Sequence, residues 1–375
     1  MDKQLNVLYK DQLVGILAMA DYRVAFEYAD SWIENGFSIS PFSLPLEKKV
    51  FLPSKFYFQG LFGVFADSLP DAWGNVLLNR VLKKNGIKAD EITPLTRLAI
   101  VGRSGMGALT YEPEKSLEQG LRAIDLDELA LECQKILHSE YSDKLDELYR
   151  LGGTSGGARP KIMTNIDGEE WIIKFPAHVD GKNIGRMEYD YSICAKKCGI
   201  VMTDTKLFHS KECEGYFGTK RFDRLLTENG IERKHMVTAA AMLEVDFNQP
   251  CMDYHALMKM TKILTRDNKQ DVENMFRRMC FNVFAHNRDD HAKNFTYIYE
   301  DVGWRLSPAY DLTYSNTYYG EHTTTVDGEG AIPTEMNLLQ VGLQAGLRKS
   351  RCKEMINEVK ETVQEMLGEY IVKMT

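Results

Sequence analysis

Residues 281–315 read FNVFAHNRDDHAKNFTYIYEDVGWRLSPAYDLTYS. Apolar runs flank a short segment, His286 to Asn294, that is rich in histidine, aspartate and asparagine. A chain that surrounds such polarity with core-forming residues is building a site, and two chemistries fit. His286, Asp289, Asp290 and His291 form an H-x-x-D-D-H cluster, and imidazole with carboxylate suits a transition metal. Alternatively, Asn287-Arg288-Asp289 followed by Asn294 repeats the Asp-to-Asn spacing of a kinase catalytic loop, H-R-D-x-x-x-x-N. That spacing lets one carboxylate face a hydroxyl nucleophile while an amide oxygen one turn later faces a magnesium ion. Asp311, behind the apolar WRLSPAY, stands where a second magnesium ligand is needed. Lone Asp–Asn pairs are also common at solvated turns, so the rest of the chain has to decide.

The first half of the chain favours phosphoryl transfer. GGTSGGARPK, residues 152–161, places Thr154 and Ser155 among glycines. It lacks the Gly-Lys-Ser/Thr ending of a Walker loop and contains no G-x-G-x-x-G. Such a loop still lets backbone N–H groups approach an anion closely, although a flexible linker would look similar. Lys161 closes the loop. EEWIIKFPA then reads as a strand ending on Lys174, which can reach nucleotide phosphates. NIGRMEYDYSICAKKCGI reads as a helix carrying Glu188, a candidate ion-pair partner for Lys174. Glycine loop, strand with lysine, helix with glutamate, hairpin and helical half follow in the order of a protein kinase. A metallohydrolase leaves the glycine loop and Lys174 unexplained. The remaining histidines, at 138, 178, 209, 235, 255 and 322, lack partner motifs.

Composition sets the outer limits. The chain has 375 residues, long enough for two or three domains. It is 44% hydrophobic and 27% charged, ordinary for a globular protein. A net charge of −8 argues against a broad nucleic-acid footprint. Seven irregularly spaced cysteines without a CxxC pair read as reduced, packed thiols of a cytoplasmic protein. MDKQLNVLYKDQL lacks the apolar core of a signal peptide, and no run of about 18 apolar residues predicts a membrane span.

Along the chain, LNVLY, LVGILA and YRVAFEYA predict short strands separated by turns such as Lys10-Asp11-Gln12. SLPDAWGNVLLNRVLKKNGI predicts a helix with Ser68 before its start and Gly86 after its end. GALTYEPE predicts a closing strand, and 113–121 a boundary. Residues 125–151 read as an acidic helical stretch, LFHSKECEGYFGTKRFDRL as a hairpin and connector, and the region from 233 as helical. The expected domains are 1–115, a small N-terminal domain; 116–230, an N-lobe with glycine loop and hinge; and 231–375, a helical C-lobe.

The motifs TSGGARPK, IIKFP, KRFDR, DDHAKNF and LSPAYDL, with FADSLPDAWGNVLLNRV and PLTRLAIVGRSGMGALTY upstream, are similar to those of the HipA-like serine/threonine kinases. These are toxins of bacterial toxin–antitoxin modules, and the resemblance covers nearly the whole chain. It implies an α+β, bilobal protein kinase-like fold with a small N-terminal α+β domain. Asp289 is implied as catalytic base, and Asn294 and Asp311 as magnesium ligands. The nucleotide site is implied at Gly156, Gly157, Ala158, Arg159, Pro160, Lys161, Lys174, the hinge Lys220, Arg221 and Phe222, and His291, Lys293 and Tyr310. The family often autophosphorylates a serine in the glycine loop; here Thr154 holds the aligned place, with Ser155 next to it. ATP and Mg2+ are the implied substrate and cofactor. The implied partners are a protein substrate, with aminoacyl-tRNA synthetases among the family's targets, and a small helix-turn-helix antitoxin. DNA would be met only through that antitoxin, and no membrane is involved.

The expected activity is therefore Mg-ATP-dependent phosphorylation of serine or threonine. A small-molecule phosphotransferase would share the Asp–Asn–Asp logic. A non-catalytic, antitoxin-binding pseudokinase would not need Lys174, Asp289, Asn294 and Asp311 together.

Overall fold

The computed structural model describes residues 3–115, 125–300, 303–316 and 320–374. They form two compact units. The first joins residues 1–185 to 208–237 and 241–244; the second comprises 186–207, 238–240 and 245–375. Residues 116–121 of the expected boundary lie outside the described residues.

The first unit opens with an antiparallel sheet. Strands Gln4–Tyr9, Gln12–Ala20 and Arg23–Tyr28 pair in sequence, with Val50–Phe51 on one edge and Leu109–Glu112 on the other. Lys10 and Asp11, at φ 48° and 61°, make the first turn. Positive φ at both central residues matches the right-handed twist of a two-residue hairpin. Val24, Phe26 and Tyr28 alternate onto the buried face.

The helix read from Ser68 begins later, at Ala72, and runs to Lys84 with Asp71 in the N-cap position. Asp71, at φ −89° and ψ −156°, is extended, so no helix runs through it from Pro70. Ser68 instead shares a 2.7 Å hydrogen bond with the Tyr111 hydroxyl. The stop is as expected, with Gly86 at φ +72° just past the end. Trp73, Leu77, Leu78, Val81 and Leu82 give this helix one buried face. Trp73 and Leu77 share a core with helices Leu126–Leu137 and Leu145–Gly152, which divide the acidic stretch in two. The same core takes Ile162 and Ile173 from the antiparallel strands Lys161–Ile166 and Glu169–Lys174. Strand Tyr216–Lys220 pairs with the second of these.

A buried ion cluster fastens this unit. Asp223 accepts from Arg221 Nε at 2.9 Å, Arg224 Nη1 at 2.6 Å and the Gly107 amide at 2.7 Å. Arg224 and Arg233 also donate to the Gly107 carbonyl, at 2.9 and 2.8 Å. Despite burial, the neighbouring guanidinium groups hold the Asp223 carboxyl well below its usual range. Breaking such a pair on one side costs about 3–5 kcal/mol, because a charge is left buried alone.

The second unit is mainly helical. Helices Tyr254–Leu264, Lys269–Phe284, Glu335–Gln344 and Lys349–Met374 carry it, and Thr334 and Asn337 form a capping box. Val272, Met275, Phe276, Met279 and Cys280 bury the core face of Lys269–Phe284. A hairpin, Thr296–Glu300 with Gly303–Leu306, follows the polar segment. All seven cysteines are free, and five are buried. Among the described residues, no helix is long and apolar enough to cross a membrane.

Candidate active site

The sequence pattern places the expected site residues in both units, so each half is described in its own unit. In the second, the helix Lys269–Phe284 ends at Ala285, and the chain turns at His286 with φ 53°. The two aspartates after this turn then part. Asp289 is exposed, whereas Asp290 is 1% exposed. Asp290 Oδ2 accepts from the Tyr254 hydroxyl at 2.9 Å and from His322 Nδ1 at 3.0 Å, and its Oδ1 accepts from the Thr324 amide at 3.1 Å. Facing a carboxylate, the His322 nitrogen must be the donor. Asp290 is thus an anchor that holds the segment while its neighbour faces solvent.

The anchor continues toward Asp311. Asn282 Nδ2 donates to the Tyr254 hydroxyl at 2.9 Å, and Asn287 Nδ2 donates to Asn282 Oδ1 at 2.9 Å. Asn287 Nδ2 also reaches the Asp311 carbonyl at 3.5 Å. Burial lowers the pKa of His286, whose ring lies parallel to Tyr314. Among the described residues, no three His, Cys, Asp or Glu side chains group so as to share an ion.

A second set of bonds arranges Asn294. His291 caps a short 3-10 helix, Ala292–Asn294, accepting from the Lys293 amide at 3.3 Å. Its Nε2 lies 3.7 Å from Asp289 Oδ1. Lys293 Nζ stands 4.6 Å from the Phe247 ring centroid. Asn294 Nδ2 donates to the Asp289 carbonyl at 2.7 Å. That bond makes Oδ1 the acceptor left to Asn294, and amide and carboxylate oxygens are the donors magnesium takes.

Tyr310 joins this segment to Asp311. Its hydroxyl donates to the Lys293 carbonyl at 2.6 Å and stands 2.6 Å from Thr296 Oγ1. A phenol has one proton, so Thr296 is the donor in the second bond. The clamp pins the residue before Asp311 to the residue before Asn294. Asp311 itself takes φ 52°, a conformation asparagine and aspartate tolerate better than most residues.

In the first unit, the glycine loop has buried shoulders and an exposed tip. Gly156 and Ala158 are exposed, whereas Thr154, Ser155 and Pro160 are buried. Thr154 Oγ1 donates to the Ser104 carbonyl at 3.0 Å, and Ser155 Oγ to the Gly152 carbonyl at 2.6 Å. Lys161 Nζ donates to the Gly156 carbonyl. Lys161 and Lys174 are cross-strand partners, which puts two cations at one end of the sheet. Lys174 Nζ lies 5.6 Å from the Phe217 ring centroid. Arg159 grips Asp180 with two bonds, at 3.1 and 3.2 Å.

The expected hinge is more structural than its sequence indicates. Lys220 pairs with Glu169, and the Arg221 guanidinium is committed to Asp223. Phe222 is half-buried. Glu188 is buried on the helix Ile184–Lys197. Sequence reading missed the partners of Asp290, because Tyr254, His322 and Thr324 are distant in sequence. It also missed Asp71, whose side chain accepts from the Gly157 amide at 3.2 Å.

Two family models match the chain. The HipA N-terminal domain matches residues 5–112, and the HipA-like C-terminal domain matches 153–367. No curated protein matches the sequence. Among solved structures, Shewanella oneidensis HipA, in complex with HipB and operator DNA, is similar over 98% of this chain and 91% of that one. Its identity is 17% and its TM-score 0.74, a likeness of fold. The Helicobacter pylori proinflammatory kinase CtkA is similar over 57% of this chain and 88% of that one, at 14% identity. Its TM-score is 0.36. The chain shares the α+β fold of that HipA structure, and with both of its domain models matched it belongs to the HipA family.

Proposed function

We propose that this chain is a serine/threonine protein kinase, the toxin of a toxin–antitoxin module, using Mg-ATP. The observation that carries the reading is the Tyr310 clamp. It ties the chain before Asp311 to the chain before Asn294, while Asn294 is bonded to the carbonyl of an exposed Asp289.

In this reading, the Asp289 carboxylate orients a serine or threonine hydroxyl and accepts its proton. The hydroxyl oxygen bonds to the γ-phosphorus of ATP as the bond to the β-phosphate oxygen breaks, and ADP leaves. Asn294 Oδ1 and the Asp311 carboxylate would hold magnesium, which neutralises phosphate charge when bound. Lys174, Lys161 and the loop amides from Gly156 to Lys161 would meet the phosphates. His291, Lys293 and Tyr310 would shape the nucleotide site, together with the backbone of Lys220 to Phe222. Catalysis then rests on positioning and charge, the terms that dominate phosphoryl transfer.

Thr154 and Ser155 are the candidates for autophosphorylation. Both hydroxyls are buried and bonded in this conformation, so modification requires the loop to leave it. By analogy with the Shewanella complex, the proposed partner is a small DNA-binding antitoxin, and the net charge of −8 suits a chain that meets DNA through it. The proposed substrate is a protein, with aminoacyl-tRNA synthetases the first class to test. The test is phosphoproteomics of cells expressing wild type or Asp289→Ala. Phosphoserine or phosphothreonine sites that appear only with wild type support the reading; identical phosphoproteomes contradict it.

A further inference from the structure

Asp71 stands in the N-cap position of the helix Ala72–Lys84, where aspartate normally accepts from its own helix. Here it makes no such capping bond. Its Oδ2 instead accepts from the Gly157 amide at 3.2 Å, and its own amide meets the Ser155 carbonyl at 3.4 Å. The Trp73 amide donates to the Gly157 carbonyl at 3.2 Å. The first turn of the helix therefore reads the loop backbone from Ser155 to Gly157. Two glycines allow this approach. A β-carbon on Gly74 would lie 2.7 Å from the Gly153 carbonyl oxygen, and one on Gly156 would lie 3.2 Å from Asp71 Oδ2.

We propose that Asp71 is an internal anion that latches the glycine loop in its hydroxyl-buried conformation by taking an N–H a nucleotide phosphate would otherwise take. The inference rests on the proposed kinase reading for its nucleotide, but not for the latch. One N–H cannot serve Asp71 and a phosphate oxygen fully at once, and the two anions repel. Nucleotide therefore competes with the latch, and releasing it also frees Thr154 and Ser155. Asp71 is a positioning residue, acting through the loop.

Hydrogen–deuterium exchange of residues 153–158 in the full chain tests the latch without any need for activity. Asp71→Ala is expected to speed exchange there about ten-fold, the scale of one lost charge-assisted hydrogen bond. Asp71→Asn keeps an acceptor oxygen without the charge and is expected to fall between wild type and Asp71→Ala. Exchange across 75–84 monitors folding; if Asp71→Ala disturbs it, Asp71→Asn decides through binding. MgATP binding, by calorimetry, is expected to tighten several-fold in both variants, since both remove the charge. Wild-type exchange in Asp71→Ala overturns the latch, and unchanged or weaker MgATP binding in Asp71→Asn overturns the competition. If no protein binds MgATP, both the kinase reading and the competition fail, and exchange alone judges the latch.

Discussion

The Tyr310 hydroxyl donates to the Lys293 carbonyl at 2.6 Å, so two segments 17 residues apart in sequence are fixed one position before Asn294 and Asp311. Tyr310→Phe keeps the ring and removes both hydroxyl bonds. The expected loss is about 1–2 kcal/mol of stability. Because the clamp positions both proposed magnesium ligands, the magnesium dependence of nucleotide binding should weaken as well. Thermal melts and a magnesium titration with ATP check this.

The neighbours Asp289 and Asp290 should respond oppositely to substitution. Asp290→Ala removes the acceptor of Tyr254, His322 and Thr324 inside the core. It should destabilise by about 3 kcal/mol. Asp289→Ala changes an exposed side chain and should alter stability by less than about 0.5 kcal/mol. Urea unfolding of the two variants decides.

Glu244 gives a pH dependence. Burial pushes its carboxyl up to about 7, against hydrogen bonds that include the Gly63 amide at 2.8 Å. Below its ordinary pKa, folded and unfolded chains are both protonated there. As pH rises toward 7 the unfolded chain releases the proton first, so the folded state loses stability, and above 7 the loss is complete. Glu244→Gln keeps the acceptor for Gly63 without the charge. It should raise the melting temperature at pH 8 and leave it nearly unchanged at pH 4, an effect of up to about 3 kcal/mol. Melting curves of both proteins from pH 4 to 8 check the sign.

Local signals carried the strands, the helix stop at Gly86 and the polar segment after Phe284, because alternation, glycine and clustered polarity act over a few residues. The division of labour between Asp289 and Asp290 was beyond such signals. Two adjacent carboxylates look alike until Tyr254, His322 and Thr324 converge on one of them. Arg221 is similar: in KRFDR it reads as part of a nucleotide hinge, and only the fold commits its guanidinium to Asp223. Asp71 gave no local sign of its role, because its partner, the Gly157 amide, lies 86 residues away.

The central claim is phosphoryl transfer led by Asp289, and the most direct measurement is transfer of the γ-phosphoryl group by purified protein. Wild type, Asp289→Ala and Asp311→Ala would be incubated with γ-labelled ATP, magnesium and a cell extract, followed by intact-mass and peptide mass spectrometry. The expected result is label on serine or threonine, including Thr154 or Ser155, with wild type only. Substantial transfer by Asp289→Ala or Asp311→Ala, or label confined to small molecules, would contradict it.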